Sequence, residues 1–542
     1  ALFIIFLTFT RFYFKKDNLS ILKEHLISII LFVTFTFSWV IIFSGIEPII
    51  EFYHQLILAI TLNKPLLPSI WPNVYSTVGE LRSMGVKEIA NSIGGMTTFV
   101  ASSFSIVALL IISLVKKEYA GSKRSAVLIL AIWTLAMLFA SSRGIRFVMF
   151  LPFSLGISLG WVTYEIYVYF KTRKNITAVV LVLIAFFIFN GTIIGRSFNV
   201  ASSIYPLIDD TWYKVLNLIK EKTPEATIVN SWWDFGDWFK AVARRPTIFD
   251  GQSQDSPRAY WMAKVLLSSN EEEAIGILRM LNNGGNEAFE IINGYLKDPL
   301  ESVLLLESII SSDFEKAQEV LKNFLPSPIT QKVMKALFSM PQRACFVVDY
   351  SMIPKMGAIS YLGTWDFSKV YIAQNFSKQE KAQIIEHLKG LGKNDQEMQR
   401  YYQEVFLIKP KNLDDWLSRR VLFYSEVAGG KERDGSVFFD NGFIYNPKDQ
   451  TIKSNEGQIP RSLFVLLDNN FTEFGLPNAN SGISALVIKV DKGYKCIMLD
   501  RELATSMLVR LYFFRGLGLK HFTPLIESEE GNNNIRVFNI IW

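Results

Sequence analysis

Cysteine and histidine are scarce in this chain. Its 542 residues hold two cysteines, Cys345 and Cys496, and four histidines. The cysteines can pair at most once, and neither they nor the scattered histidines have the clustered spacing of a zinc site. Chemistry must therefore come from carboxylates and bases. A surface of one charge sign is also missing. The net charge of +6 comes largely from Lys and Arg at the ends of apolar runs, which argues for membrane topology and against a nucleic-acid partner. No internal repeat or low-complexity tract is evident. The chain opens on Ala1 and runs at once into Leu-Phe-Ile-Ile-Phe-Leu, with no Met or charged segment ahead of it. That opening is expected of the C-terminal part of a longer protein.

What is plentiful is apolar surface: 50% of the residues are hydrophobic and 14% aromatic, too much for an ordinary soluble enzyme. These residues crowd into the first 195 positions. Residues 1 to 14 read as the end of a membrane span and 26 to 46 as a full one of roughly 20 apolar positions. Further spans are expected at 99 to 115, 125 to 142, 147 to 170 and 176 to 195. Lys15-Lys16, Lys116-Lys117 with Lys123-Arg124, and Lys171-Thr172-Arg173-Lys174 fall in alternate loops. The positive-inside rule puts those loops in the cytoplasm. Parity then puts loop 47–98 and everything after 196 outside. The fold class expected is a multi-span α-helical membrane domain (1–195, with external loop 47–98), a soluble α/β domain (196–360) and a mainly β domain (361–542).

Residues 231 to 238, Ser-Trp-Trp-Asp-Phe-Gly-Asp-Trp, are the least generic stretch. Three indoles (Trp232, Trp233, Trp238) stand beside Asp234 and Asp237, a costly grouping unless something binds there. Thr227-Ile228-Val229 reads as a buried strand and Trp238 to Ala243 as a helix start. The indoles and Asp234 are thus expected at the mouth of a strand-to-helix junction. A second strand is expected at Pro246 to Asp250, helices at 256–268, 271–281 and 299–310 with a break at Asn282-Asn283-Gly284-Gly285, and a strand at Ala344 to Val348. Asp349 and the segment to Ile359 follow that strand; at their spacing Met352, Lys355 and Ile359 share one helical face. In loop 47–98, residues 51 to 62 have the spacing of a helix lying on the membrane, and Thr77-Val78-Gly79-Glu80 follows three prolines. Arg143 and Arg146 close the span ending near 142, where an arginine needs a partner or the interface.

The string WWDxGxW resembles the signature of the catalytic subunit of oligosaccharyltransferase, the membrane enzyme of asparagine-linked glycosylation, here of archaeal type and lacking its N-terminal spans. Thr-Val-Gly-Glu is similar to the family's TIxE or SVSE motif, and the segment from Asp349 to its DxxKxxxM or Met-Ile motif, although Lys355 stands six rather than three residues after Asp349. The resemblance implies transfer of an oligosaccharide, with inversion, from a polyprenyl phosphate or pyrophosphate to the Asn of Asn-x-Ser/Thr sites. It implies that Trp232, Trp233, Asp234, Met352, Lys355 and Ile359 hold the acceptor's Ser or Thr. Glu80 is implied as the catalytic ligand of Mg²⁺ or Mn²⁺, and Arg146 and Arg143 as groups for the lipid phosphate. The partners implied are lipid-linked oligosaccharide, acceptor polypeptide and membrane lipid. Two other readings stay open: another membrane glycosyltransferase using a polyprenol-phosphate sugar, and a non-catalytic peptide-binding module on a membrane anchor.

The topology is checked by cysteine labelling in intact cells. An engineered Cys in the loop near Gly430 should react with an impermeant reagent from outside, whereas labelling only after lysis would reverse the orientation.

Overall fold

The computed structural model describes residues 70–119, 121–204, 206–253, 255–391, 393–409, 412–467, 470–490, 493–528 and 534–542, with Ser38, Ile41, Ile42, Gly45, Ile46 and Ile49 ahead of them. The spans expected at 1 to 14 and 26 to 46, and the surface helix expected at 51 to 62, otherwise lie outside the described residues. Contacts divide the chain into two units: Ala1–Lys64 with Glu80–Val179, and Pro65–Gly79 with Val180–Trp542.

The first unit is helical. Met96–Val115, Ser122–Arg143 and the run Ile145–Thr172 are long and apolar enough to cross a membrane, as is Ile176–Ser202, which continues into the second unit. Serines form part of their inward faces: Ser102, Ser105, Ser154 and Ser158 are buried. Small residues there let the helices approach closely. Ser105, Ser154 and Ser158 bond carbonyls of the preceding turn, Ser105 Oγ on Ala101 O at 2.9 Å and Ser158 Oγ on Ser154 O at 2.8 Å, partners that hydrocarbon surroundings do not supply. Phe104, Val107, Ile129 and Leu135 face outward, the positions lipid would cover.

The second unit holds twelve strands among the described residues: β1 (Ile228–Asn230), β2 (Ala344–Asp349), β3 (Ala428–Arg433), β4 (Ser436–Phe439), β5 (Phe443–Asn446), β6 (Thr451–Ser454), β7 (Ser462–Leu467), β8 (Asn470–Gly475), β9 (Ser484–Val490), β10 (Gly493–Leu499), β11 (Phe522–Ser528) and β12 (Ile535–Ile540). A four-stranded sheet has the order β1-β2-β12-β11, and an eight-stranded sheet the order β6-β5-β4-β3-β10-β9-β7-β8. The first sheet therefore draws strands from both sides of residue 360. Helices Phe367–Asn375, Lys381–Gly390 and Asp395–Glu404 precede the eight-stranded sheet, so the stretch read as mainly β opens with helical structure.

Two local expectations are corrected. Pro246 to Asp250 forms no strand, only an isolated bridge between Val229 and Thr247, because the chain bends at once into the turn that Asp250 closes. The helix from Glu271 runs three residues further than expected, to Gly284, and the break falls at Gly285 and Asn286 before the next helix starts at Glu287. Asn282 bonds Asn230 and Asn283 reaches Ser339 O, partners that offset the asparagines' weak helix propensity.

Residues 70–78, expected within a membrane-domain loop, are gripped by this second unit. The Trp71 ring meets Phe289 and Phe367 edge to face, each at 5.2 Å, with Tyr260 and Trp261 next to it. Trp365 Nε1 donates to Ile70 O at 2.8 Å, and Val74 is buried. Helix Ser256–Leu267 carries Tyr260 and Trp261 of this grip and touches helix Met356–Gly363 backbone to backbone: a Cβ on Gly363 would sit 2.6 Å from the Ala263 carbonyl carbon. Trp71→Ala should destabilise the second unit by about 3 kcal/mol and speed amide exchange across residues 70–78. Unchanged exchange there would deny the anchor.

Candidate functional site

β1 and β2 are parallel neighbours, with Val229 opposite Cys345 and Asn230 opposite Phe346. Side chains at the end of β1 fasten it to β2: Asn230 Nδ2 donates to Cys345 O at 3.3 Å and Ser231 Oγ to Val347 O at 2.9 Å. Both strands end at the same edge of the sheet, the edge where ligands gather in such arrangements. After β1 the chain makes a 3₁₀ turn, Trp233–Phe235, one α turn, Gly236–Trp238, and a π turn, Phe239–Ala243, which Arg244 ends at φ +53°.

The indoles divide. Trp232 is 2% exposed and meets Phe249 edge to face at 5.7 Å. Trp238 packs on Trp212 at 5.2 Å and Phe235 at 5.3 Å. Trp233, Trp238 and Asp234 are each partly open and Asp237 is exposed, so of the three indoles expected at the mouth Trp232 alone is buried in the core. Burial of Trp232 follows from the large apolar area an indole removes from water. Gly236 is fixed by crowding: a Cβ there would lie 2.3 Å from Asp250 Cβ and 2.6 Å from Phe249 O. Asp250 is buried, accepts from Gln252 N, Ser253 N and Ser253 Oγ, and pairs with Lys240.

At the end of β2, Asp349 is followed by a 3₁₀ turn, Tyr350–Met352, and a helix starts only at Met356. The shared helical face expected of Met352, Lys355 and Ile359 therefore does not form. Met352 and Ile359 are wholly buried, while Lys355, 33% exposed, reaches Asp234 Oδ1 at 3.1 Å. The Lys355 ammonium also stands 5.2 Å from the Phe235 ring centre, a cation–π arrangement. Asp234 Oδ2 is buried and has no hydrogen-bond partner among the described residues. Burial pushes the Asp349 carboxyl up to about 6; Ser351 and Lys355 oppose that shift and Asp234 adds to it.

Glu80 belongs to the first unit. It is exposed on the 3₁₀ turn Gly79–Leu81. Ile145 N donates to Arg82 O at 3.1 Å, and a Cβ on Gly144 would be 3.5 Å from Glu80 O. The backbone thus sets the Glu80 turn beside the Arg143–Arg146 corner. Arg146 is exposed, and Arg143 lies over the Phe139 ring at 5.3 Å. Among the described residues no three His, Cys, Asp or Glu gather as metal ligands. Sequence reasoning missed the Lys240–Asp250 pair, the Ser351 contact and the Trp71 anchor; for the anchor, a lone Trp between Pro68 and Pro72 was the available signal.

No protein-family model matches the chain. Over 529 aligned positions it is 26% identical to the dolichyl-phosphooligosaccharide-protein glycotransferase of Methanocaldococcus jannaschii, covering 83% of this chain and 53% of that protein. It is similar to archaeal glycotransferases. The Methanococcus voltae protein of the same description is 25% identical over 382 positions, 55% of this chain and 42% of that one. The chain spans about half the length of these relatives. Archaeal oligosaccharyltransferase AglB from Archaeoglobus fulgidus, solved with an inhibitory peptide and a dolichol-phosphate, aligns at 14% identity with a TM-score of 0.45, over 97% of this chain and 46% of that one. The C-terminal domain of C. jejuni PglB aligns at 14% identity and 0.31, over 61% and 99%.

The Asp349 carboxyl gives a pH test. Its folded-state value lies above the ordinary 3.8, so the folded chain holds the proton more tightly than the unfolded one. That stabilisation is complete below about pH 4 and is lost as pH rises through about 6, at most about 3 kcal/mol. Asp349→Asn should flatten the fall in unfolding stability between pH 4 and 7, measured by denaturant titration. An unchanged slope would place the titration elsewhere.

Proposed function

We propose that this chain is the acceptor-recognising part of an oligosaccharyltransferase, which transfers an oligosaccharide from a polyprenyl phosphate or pyrophosphate carrier to the Asn of Asn-x-Ser/Thr, with inversion. The observation that carries this reading is Asp234, with one oxygen held by Lys355 and the other buried without a partner among the described residues. A buried carboxylate oxygen left unpaired is costly. A hydroxyl donor arriving beside the half-open Trp233 indole removes that cost, and an acceptor lacking the hydroxyl leaves it in place. The similarity to the glycotransferases, which takes in most of this chain, supports the same reading.

The transfer chemistry asks for more. A carboxamide nitrogen is a poor nucleophile because its lone pair is delocalised into the carbonyl, and a departing phosphate needs its charge met. Arg146 and Arg143 suit the second task by charge and by their place at the end of an apolar helix. We assign Glu80 as one ligand of Mg²⁺ or Mn²⁺, a cation that supplies charge neutralisation when bound. One carboxylate is too few to hold it, and the described residues offer no cluster that completes the set. The second unit faces outward in this reading, on the side of the lipid-linked sugar.

Asp234→Ala tests the assignment in the full chain, using labelled Asn-x-Thr and Asn-x-Ala peptides. The unaltered chain should bind the Thr peptide at least about tenfold more tightly, and the variant should lose that difference by weakening the Thr peptide. Unchanged affinity for the Thr peptide would exclude the assignment.

A further inference from the structure

Lys355 decides which oxygen of Asp234 is left for a ligand, yet a lysine side chain is a flexible stem with a point charge at its end. Something must fix it. The ammonium lies 3.1 Å from Asp234 Oδ1 and donates to Ser351 Oγ at 3.4 Å. Ser351 Oγ in turn donates to Asp349 Oδ1 at 2.9 Å. Asp349 is the last residue of β2, is 1% exposed, and stands opposite Ile535 of β12. β2 lies between β1 and β12, so this carboxyl is anchored in the interior of the sheet. A chain of polar contacts thus runs from the sheet through Ser351 to Lys355 and Asp234.

We propose that Ser351 is a positioning residue: its hydroxyl, oriented by Asp349, holds the Lys355 ammonium on Asp234 Oδ1 and so keeps Oδ2 free for the acceptor hydroxyl. This deepens the acceptor-site reading and rests on it for its functional consequence. The geometric part stands alone. With the hydroxyl gone, the one-third-exposed lysine keeps Asp234 and the Phe235 ring as its direct contacts among the described residues. It can then slide to bridge both carboxylate oxygens, closing the acceptor position, or turn toward solvent.

The test uses the full chain in detergent micelles and two readouts. In the first, a brief pulse of an amine-reactive reagent is followed by peptide mass spectrometry of Lys355, with Lys240 and Lys264 as internal references. Ser351→Ala should raise Lys355 labelling about threefold or more, and Ser351→Thr should restore it. In the second, affinity for a fluorescent Asn-x-Thr peptide should fall about three- to tenfold in Ser351→Ala, the range of one lost hydrogen bond. The same change made in a Lys355→Met background should cost nothing further, because the hydroxyl acts through the lysine. Unaltered Lys355 labelling would overturn the proposal, as would an equal loss of affinity in both backgrounds. If the unaltered chain binds Asn-x-Thr no better than Asn-x-Ala, the acceptor-site reading fails, and the labelling result still decides the role of Ser351.

Discussion

Because β1 and β2 run parallel and side by side, the chain leaves the four-stranded sheet twice at one edge, first into Trp233 and Asp234 and again, over 100 residues later, into Ser351 and Lys355. The pairing of β1 with β2 brings those two segments together. The polar groups that fasten the strand ends, Asn230 and Ser231 on the carbonyls of β2, are therefore as much a part of the site as the groups facing it. The arrangement follows the general behaviour of parallel strands, whose carboxyl ends present loops to ligands. Here it is built from only one parallel pair, with β12 and β11 completing the sheet in the antiparallel sense.

The crowding around Gly236 and the grip on Trp71 are two further consequences of tight packing near that edge. Gly236 lets the turn after Asp234 press on Phe249 and Asp250, which leaves Asp234 little freedom to move away from the sheet. The helix that begins just after Lys355 is followed by Trp365, whose indole holds the carbonyl of Ile70. Residues 70–78 are thereby tied to the second unit, while Arg82 is bonded to Ile145 of the first.

Much of this was legible in the sequence, for reasons that differ from element to element. The four described apolar helices were readable because lipid imposes one length and one composition on a span, and their observed bounds extend the expected ones by a few residues. The strand, turn and helix around WWDxGxW were readable from local signals, as was Asp349 at a strand end. Which indoles face out was not, since alternation within a 3₁₀, α and π succession has no simple period; Trp232 went to the core, while Trp233 and Trp238 stayed partly open. Lys355 was expected on a helical face with Met352 and Ile359, but the helix starts one residue later and the neighbours are buried. The strand order that unites β2 with β12, nearly 200 residues apart, is a tertiary fact with no local trace. So is the capture of residues 70–78.

The central claim is that the edge holding Asp234 and Lys355 reads a hydroxyl. The most direct measurement compares two peptides on the unaltered full chain, one carrying Asn-x-Thr and one in which Thr is replaced by 2-aminobutyrate, which keeps the side chain's carbon skeleton and lacks only the hydroxyl. Titration calorimetry or fluorescence anisotropy gives both affinities under one set of conditions. The account predicts that loss of the hydroxyl weakens binding by at least about tenfold, because Asp234 Oδ2 stays buried and unpaired. Equal affinity for the two peptides would contradict it.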